Sequence, residues 1–272
     1  MSVQALKRRV VPERGARGAL SWLDGSQKLA TKTSTGSSAC RGSLFLSSER
    51  SRWGTMVENN ILNCLQSFSK LLDTEYIFHL GRAGKHMRFS LDFTKEDCYH
   101  LMGLHYLKDR KDNRGRNYIF DELMASPDAR AHIALSSFLD ENVCDRIHFT
   151  SLLESLLDDN HTIFRYNPKR LRFYTMIQAD YLLDNISGER EVYLFLDKRT
   201  SSAFHFCRSI FPKRDRNYID GQAKWTLLYK EKQKAGEEPV ILYKHRDYDP
   251  TGAEDPTLKS NVSPISSKSG GK

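Results

Sequence analysis

The order of the repeating patterns along the chain is the feature that most restricts its fold. Helical spacing of apolar residues begins abruptly after Met56, and similar patterns predict four more helices before residue 160. From Thr162 to Tyr243 the chain is instead rich in β-branched and aromatic residues, which favour strands. This order predicts an α+β fold, with amino-terminal helices and a β-hairpin followed by a mainly antiparallel β-sheet. It argues against the alternating, doubly wound sheets that bind nucleotides.

Two capping signals and one turn locate individual elements. Thr94-Lys95-Glu96-Asp97 has the pattern of a capping box and predicts a helix over 94–107. Ser126 and Pro127 are typical of a helix cap and a first helical residue, ahead of a helix that extends to residue 139. Gly81-Arg82-Ala83-Gly84 favours a turn between two strands. The other predicted segments are helices at 118–124 and 151–158 and strands at 75–80, 86–93, 162–166, 173–183, 191–197, 203–207, 224–230 and 240–243.

The net charge of +8 is concentrated at the amino terminus. Residues 1–55 hold ten of the 42 basic residues but only three of the 34 acidic ones, so 32 and 31 remain for residues 56–272. A tight duplex binder neutralises many phosphates with an excess of Lys and Arg, so this near-neutral body argues against a DNA-packaging protein. Residues 1–55 are also rich in Ser, Gly and Thr without periodicity, which predicts a disordered basic extension. We interpret this stretch as an over-long gene prediction, with Met56 as the true start.

The remaining composition predicts a cytoplasmic protein with one folded domain. Residues 246–272 are rich in Asp, Ser, Pro and Gly, which predicts a disordered tail and leaves 56–245 as the folded domain. We find no apolar run of about 18 residues, so no membrane span is predicted. The five cysteines are scattered and never paired as C-x-x-C, which favours reduced thiols over a zinc knuckle or a disulfide framework.

Two histidines in the predicted helix over 94–107 are the first candidate site. His100 and His105 lie five residues apart, roughly 140° around an ideal helix, so a shared metal ion is not predicted. The H-E-x-x-H and deaminase motifs of zinc enzymes are absent from the sequence. Lys108 follows His105 by three residues and shares its helical face, which would place a cation beside a proton-transfer group.

Two segments late in the chain, 207–212 and 220–230, form the second candidate site. Strand alternation places Thr226 and Lys230 on one face, where a phosphodiester could contact both side chains. Spacing alone favours a plainer interpretation, an exposed polar face of an antiparallel sheet. The run from Val192 to Leu196 is apolar throughout, which indicates a central strand covered on both faces.

Together these segments resemble a known family, the fourth group of phage-associated barnase–EndoU–colicin–RelE-like nucleases. The resemblance covers about residues 56–243, and its most specific part is the His-x-x-Gly-Leu-His pattern from His100 to His105. Two residues depart from the family pattern, Ile210 where Phe is expected and Ile219 where Thr is expected. The other segments that carry the resemblance are 172–177, 192–197, 207–212, 218–222 and 225–230. The family implies an RNase in which helices precede a four-stranded antiparallel sheet whose face holds the active site, so residues 56–245 would form the nuclease domain.

Chemical requirements then suggest roles for individual residues. Cleavage of RNA without a metal needs a base for the 2′-hydroxyl, an acid for the 5′-oxygen and a cation for the phosphorane. We assign proton transfer to His105, or alternatively His100, with Tyr218 as an alternative partner. Lys230 and Arg208 would stabilise the phosphorane. Further assignments are Ser209, Gln222 and Thr226 for orienting the phosphate, Lys108 as a neighbouring cation, Tyr174 for stacking on a base and His205 as a further proton carrier.

The sequence thus predicts a metal-independent endoribonuclease that needs no cofactor and binds RNA. One alternative is a catalytically inactive RNA- or protein-binding module with the same fold. Another is a toxin-like role in which a cognate inhibitor protein restrains the enzyme, a hypothesis that concerns biology and not chemistry.

Overall fold

The computed structural model describes residues 39–110 and 113–250, with side chains from residue 54 onward. The chain divides into two units, Met1–Leu44 and Phe45–Lys272, and all the described strands belong to the second. The first helix, α1, spans Ala39–Ser69 and therefore runs through Met56. Residues 1–38 and 251–272 lie outside the described residues, so the predicted extension, start and tail stay predictions.

Six α-helices are described, and three of them begin at a capping side chain. The backbone N–H of Thr94 donates to Asp97 Oδ2 at 2.7 Å, and Ser126 Oγ accepts from the N–H of Ala129 at 3.2 Å. The helix over 141–151 was missed in the sequence, although Asp140 caps it by accepting from the N–H of Val143 at 3.0 Å. After α1 the helices are α2 (Lys95–Leu101), α3 (Arg116–Ala125), α4 (Pro127–Ala134), α5 (Glu141–Ser151) and α6 (Leu153–Asp159).

Eight strands form one sheet among the described residues. All pairings are antiparallel except the short parallel contact of β2 with β6, which confirms the predicted α+β class. The order is β1-β2-β6-β5-β4-β3-β7-β8, and an additional β1–β7 pairing closes the first seven strands into a ring. Eight strands exceed the four that the family resemblance implies. They are β1 (Thr74–Arg82), β2 (Lys85–Leu91), β3 (Ile163–Arg165), β4 (Tyr181–Ser187), β5 (Arg190–Lys198), β6 (His205–Pro212), β7 (Ala223–Lys234) and β8 (Val240–Lys244).

The sheet carries an apolar cluster on each face. Val192, Leu194 and Leu196 of β5 pack into the larger cluster with the helices, whereas Tyr193 and Phe195 pack into a second cluster on the opposite face. This arrangement confirms that β5 is a central strand covered on both sides. The second cluster is completed by a loop over 171–180, so the strand predicted at 173–183 begins only at residue 181.

Two β-bulges change which side chains face which way. In the β5–β6 pair Phe195 lies opposite Ser209 and Leu196 opposite Cys207, which leaves Arg208 as the extra residue. In the β1–β7 pair His79 lies opposite Tyr229 and Leu80 opposite Leu227, which leaves residue 228 as the extra one. A bulge inserts one residue and shifts the alternation of every residue beyond it. Both bulges determine what reaches the candidate site.

Candidate functional site

A cleft of about 860 Å³ lies beside the second apolar cluster. Its walls come from α2 and the turn after it, from α3 and α5, from the facing ends of β5 and β6, and from three loops. Six of its lining residues are basic and three are acidic, so the cleft favours an anion. The basic residues are Arg116, Arg146, Lys198, Arg199, Arg208 and Arg216, and the acidic ones are Glu96, Asp97 and Asp197.

His100 and His105 meet at the cleft because α2 ends between them. Gly103 has a φ of 75°, a left-handed conformation that glycine adopts without steric cost, and a short 3₁₀ helix, Leu104–Tyr106, follows. The two imidazole centroids are therefore 5.1 Å apart, and not on different sides of one continuous helix as predicted. A Cβ at residue 103 would lie 2.8 Å from Arg146 Cδ and 3.2 Å from the Tyr106 ring. The glycine thus permits both the turn and the close approach of Arg146.

The surroundings favour neutral imidazoles. Desolvation within the cleft, reinforced by the charges of His100, Arg146 and Arg116, lowers the pKa of His105 to about 4. Desolvation, followed by Arg116 and Arg208, also lowers the pKa of His100. A neutral imidazole has a free nitrogen lone pair at neutral pH, so His105 has the protonation state that a general base needs.

Arg146 is a cation in the cleft wall with no carboxylate partner among the described residues. Its guanidinium carbon lies 5.4 Å from the centre of the Tyr106 ring and 5.5 Å from that of Phe211, and its Nη2 donates to Ser209 Oγ at 3.2 Å. Burial lowers the pKa of Arg146, since its charged form loses hydration there. A half-buried charge without a counter-ion is costly in free energy, and a bound phosphate would offset that cost.

The other cleft arginines differ in their partners. Arg199 donates to Asp92 at 2.6 Å and to Asp97 at 2.5 Å, so it ties the end of β5 to the start of α2. Arg208 is more weakly held, with one contact to Asp197 Oδ2 at 3.3 Å. Arg116 contacts the Tyr99 ring and forms no ion pair within the described part of the chain. Arg199 is therefore structural, whereas Arg116 and Arg208 remain available to a ligand.

Several residues proposed from the sequence do line the cleft. Besides both histidines and Arg208, these are Ser209, Tyr218 and Tyr174. The bulge at Arg208 lets this residue and Ser209 reach the same cavity although they are consecutive. Tyr218 is almost buried against the Phe195 and Phe211 rings, whereas the Tyr174 side chain is 82% exposed on the cleft rim. The structure therefore brings these six predicted residues to one cleft, while the roles assigned to them stay predictions.

The predicted exposed position of Lys230 is wrong. Because residue 228 is bulged out, Lys230 lies opposite Phe78 and shares the core-facing side with Leu227. Its side chain is fully buried. Its Nζ donates to the carbonyl oxygens of Leu157, Asp158 and Asn160 at 2.7, 2.5 and 2.9 Å, respectively, at the carboxyl end of α6. These contacts make Lys230 a buried cap of the carboxyl end of α6, and its ammonium group does not reach a surface where phosphate could bind.

Replacing Lys230 with methionine is expected to lower the free energy of unfolding by about 3 kcal/mol, since buried carbonyls lose their donor. Cleavage per folded molecule should be unchanged. Urea unfolding and an activity assay normalised to folded protein measure the two effects. Lys224→Met, an exposed position on the same strand, is the matched control and should alter stability by no more than about 0.5 kcal/mol. A stable Lys230→Met protein without activity would instead support the original assignment.

Four further predicted site residues do not line the cleft. Gln222 exchanges two hydrogen bonds with the backbone of Asn167, at 2.7 and 3.2 Å, and so fastens a loop. Thr226 is exposed on β7 and Lys108 on a separate 3₁₀ helix, because the helix that would have aligned Lys108 with His105 has already ended. His205 is buried on the face opposite Phe206, with its Nε2 3.3 Å from Asp180. The structure therefore does not bring these four residues to the cleft.

Sequence reasoning did not single out Arg146, which lines the cleft. Asp140 followed by Val143 and Ile147 has the cap and the four-residue spacing of an amphipathic helix, and this signal was available. It would have placed Arg146 on a helix. It would not have shown that the helix packs beside His105.

Within residues 39–110 and 113–250, no three His, Cys, Asp or Glu side chains come together to hold a metal ion. No helix in these segments combines the length and the apolar character that crossing a bilayer demands.

No curated protein and no solved structure matches the chain. A family described as phage-Barnase-EndoU-ColicinE5/D-RelE like nuclease4 matches residues 60–247, which is more than half of the 272 residues. This match confirms the resemblance that was drawn from the His-x-x-Gly-Leu-His pattern and the strand segments. The chain therefore belongs to this family and is a nuclease of the barnase–EndoU–colicin–RelE type.

Proposed function

We propose that this nuclease is a metal-independent endoribonuclease in which a 2′-hydroxyl attacks the adjacent phosphate. The observation that carries the proposal is Arg146, a half-buried guanidinium that forms no ion pair with any described residue. Its side chain donates to Ser209 and packs on Tyr106, next to His105. A phosphodiester bound to Arg146 would lie within the cleft that also contains His105. The cation that stabilises the phosphorane is thus a side chain of the protein.

The chemical step assigns one role to each group. Neutral His105 removes the proton of the 2′-hydroxyl, whose oxygen then bonds to phosphorus. The bond from phosphorus to the 5′-oxygen breaks, and the hydroxyl of Tyr218 donates a proton to that oxygen. Arg146, assisted by Arg208, binds the non-bridging oxygens as negative charge develops. The products are a 2′,3′-cyclic phosphate and a 5′-hydroxyl.

The cleft rim favours single-stranded RNA. Tyr174 and Met176 project from the loop over 171–180, with 82% and 81% of their surfaces exposed, and both line the cleft. Unstacked bases of single strands bind to such aromatic and apolar surfaces, whereas bases within a duplex are already stacked. The loop is anchored by Phe173, which packs on Tyr218 at 5.1 Å between ring centroids.

A DNA oligonucleotide with one internal ribonucleotide tests this proposal. Cleavage is expected only on the 3′ side of the ribonucleotide, in excess chelator as well as without it, and mass spectrometry should detect the cyclic phosphate. The all-DNA oligonucleotide is the matched control, since it lacks only the attacking hydroxyl. Equal cleavage of the all-DNA strand, or full loss of activity in chelator, would contradict the proposed mechanism.

A further inference from the structure

A second cavity of about 560 Å³ adjoins the cleft. The two cavities share Tyr106, Arg146, Ser209 and Tyr218 in their walls. A ligand whose phosphate is held by Arg146 can therefore extend into either one. A phosphodiester joins one nucleoside on each of its two sides. The two cavities therefore suit a nucleotide chain whose phosphate is held at Arg146, with one nucleoside in each cavity.

The second cavity has a different chemistry from the cleft. Its charged lining is balanced, with three aspartates and three arginines, whereas the cleft has twice as many basic as acidic residues. Phe138 and Phe211 provide flat apolar surface, and Asn142 and Asp215 provide polar groups at the same cavity. Aromatic rings combined with amide and carboxylate groups suit the face and the edge of a nucleobase. Phosphate, by contrast, is favoured in the basic cleft.

Phe138 is one of two exposed aromatic residues of this cavity, the other being Tyr106, which packs near Arg146, and hydrogen bonds hold the turn that carries Phe138. Its side chain is 43% exposed. Asp109 accepts hydrogen bonds from Ser136 Oγ at 2.6 Å and from the N–H of Ser137 at 2.9 Å. Ser136 Oγ in turn accepts from the N–H of Phe138 at 3.2 Å. These bonds fix the turn before a ligand arrives, so stacking on Phe138 requires little additional ordering.

We infer that the second cavity is a nucleobase subsite, in which Phe138 stacks on the base that flanks the phosphate held by Arg146. This inference rests on the proposed function for the position of the phosphate. The larger cavity, with Tyr174 on its rim, then accommodates the nucleotide on the other side. The smallest ligand that fills both cavities is a dinucleotide.

Binding of dinucleoside monophosphates tests the subsite without depending on cleavage. Such ligands have one phosphate and therefore one register, and a 2′-O-methyl group on the attacking ribose prevents the reaction. Alanine substitution of an aromatic residue that stacks on a base typically weakens binding by roughly 5- to 150-fold. Phe138→Ala is therefore expected to raise the Kd of the dinucleoside monophosphate about tenfold. Leu135→Ala is the matched control, because this side chain is 65% exposed on the same turn and lines neither cavity.

Abasic ligands identify the contact. Two abasic ligands are possible, each lacking one of the two bases. One of them should bind the wild-type protein as weakly as the intact ligand binds Phe138→Ala. The affinity for this abasic ligand should not fall further in Phe138→Ala. Phe138→Trp should retain affinity for the intact ligand. The subsite would be overturned if Phe138→Ala lost the same affinity for the intact ligand and for both abasic ligands. It would also be overturned if Phe138→Ala and Leu135→Ala bound the intact ligand with the same Kd. Coupling between Phe138 and one base in a protein that does not cleave RNA would retain the subsite and reject the proposed function.

Discussion

Replacing His105 with alanine is expected to lower kcat/KM for RNA by roughly 10²- to 10⁴-fold, the usual contribution of a positioned proton-transfer group. The residue is not part of the packed core, so thermal unfolding should change little. His148→Ala is the matched control, since His148 is exposed on α5 and lines neither cavity. Activity that is equal in the two variants would remove His105 from the mechanism.

The pH dependence distinguishes a base from an acid at His105. The pKa of this histidine is lowered to about 4 in the free protein, and kcat/KM reports the free protein. If neutral His105 accepts the proton, kcat/KM rises with pH through about 4 and levels off above it. If protonated His105 were the acid, kcat/KM would instead fall through the same range.

Substrate binding should move this titration in a defined direction. A phosphate held by Arg146 places negative charge near His105, which favours the protonated imidazole and raises its pKa. The acidic limb of kcat is therefore expected at higher pH than that of kcat/KM. This shift brings the base closer to neutral pH, where proton transfer is more effective. Coincident limbs in the two profiles would contradict a phosphate site beside His105.

Replacing Arg146 with methionine is expected to lower kcat by roughly 10²- to 10³-fold, as the loss of one preorganised donor to a developing charge does in other enzymes. Arg146→Lys should restore only part of this activity. A lysine retains the charge, but it lacks the planar fork that lies near two rings and donates to Ser209. The stability of Arg146→Met should be close to that of the wild type, since loss of the ring contacts is offset by removal of an unpaired, half-buried charge.

Salt dependence provides an independent measure of the same contact. Loss of one phosphate contact should reduce the slope of log K against log salt by about 0.7 for single-stranded RNA. The control is Arg114→Met, which removes the same charge from an arginine that is paired with Glu122 at 2.7 Å and lies outside both cavities. An unchanged slope in Arg146→Met, or an equal change in both variants, would show that Arg146 does not bind phosphate.

The sequence by itself determined the elements whose signals are local. The hairpin around residues 81–84, the Thr94 capping box and the Ser126-Pro127 helix start were all readable, because capping and turn formation involve residues three or four positions apart. The run from Val192 to Leu196 likewise indicated a strand buried on both faces. The family pattern at His100 to His105 identified the class of enzyme without showing how the two rings meet.

Only the tertiary structure decided which side chains share the cleft. The β-bulge at residue 228 turns Lys230 into the core, and the β-bulge at Arg208 brings this residue and Ser209 to the same cavity. A bulge depends on the partner strand, which the local sequence does not specify. Arg146 reaches the site because α5 packs against β6, where its guanidinium contacts Phe211 and Ser209. Periodicity reports how residues are arranged within one helix or strand. The distances between groups on different elements follow from the packing of the whole sheet and its helices.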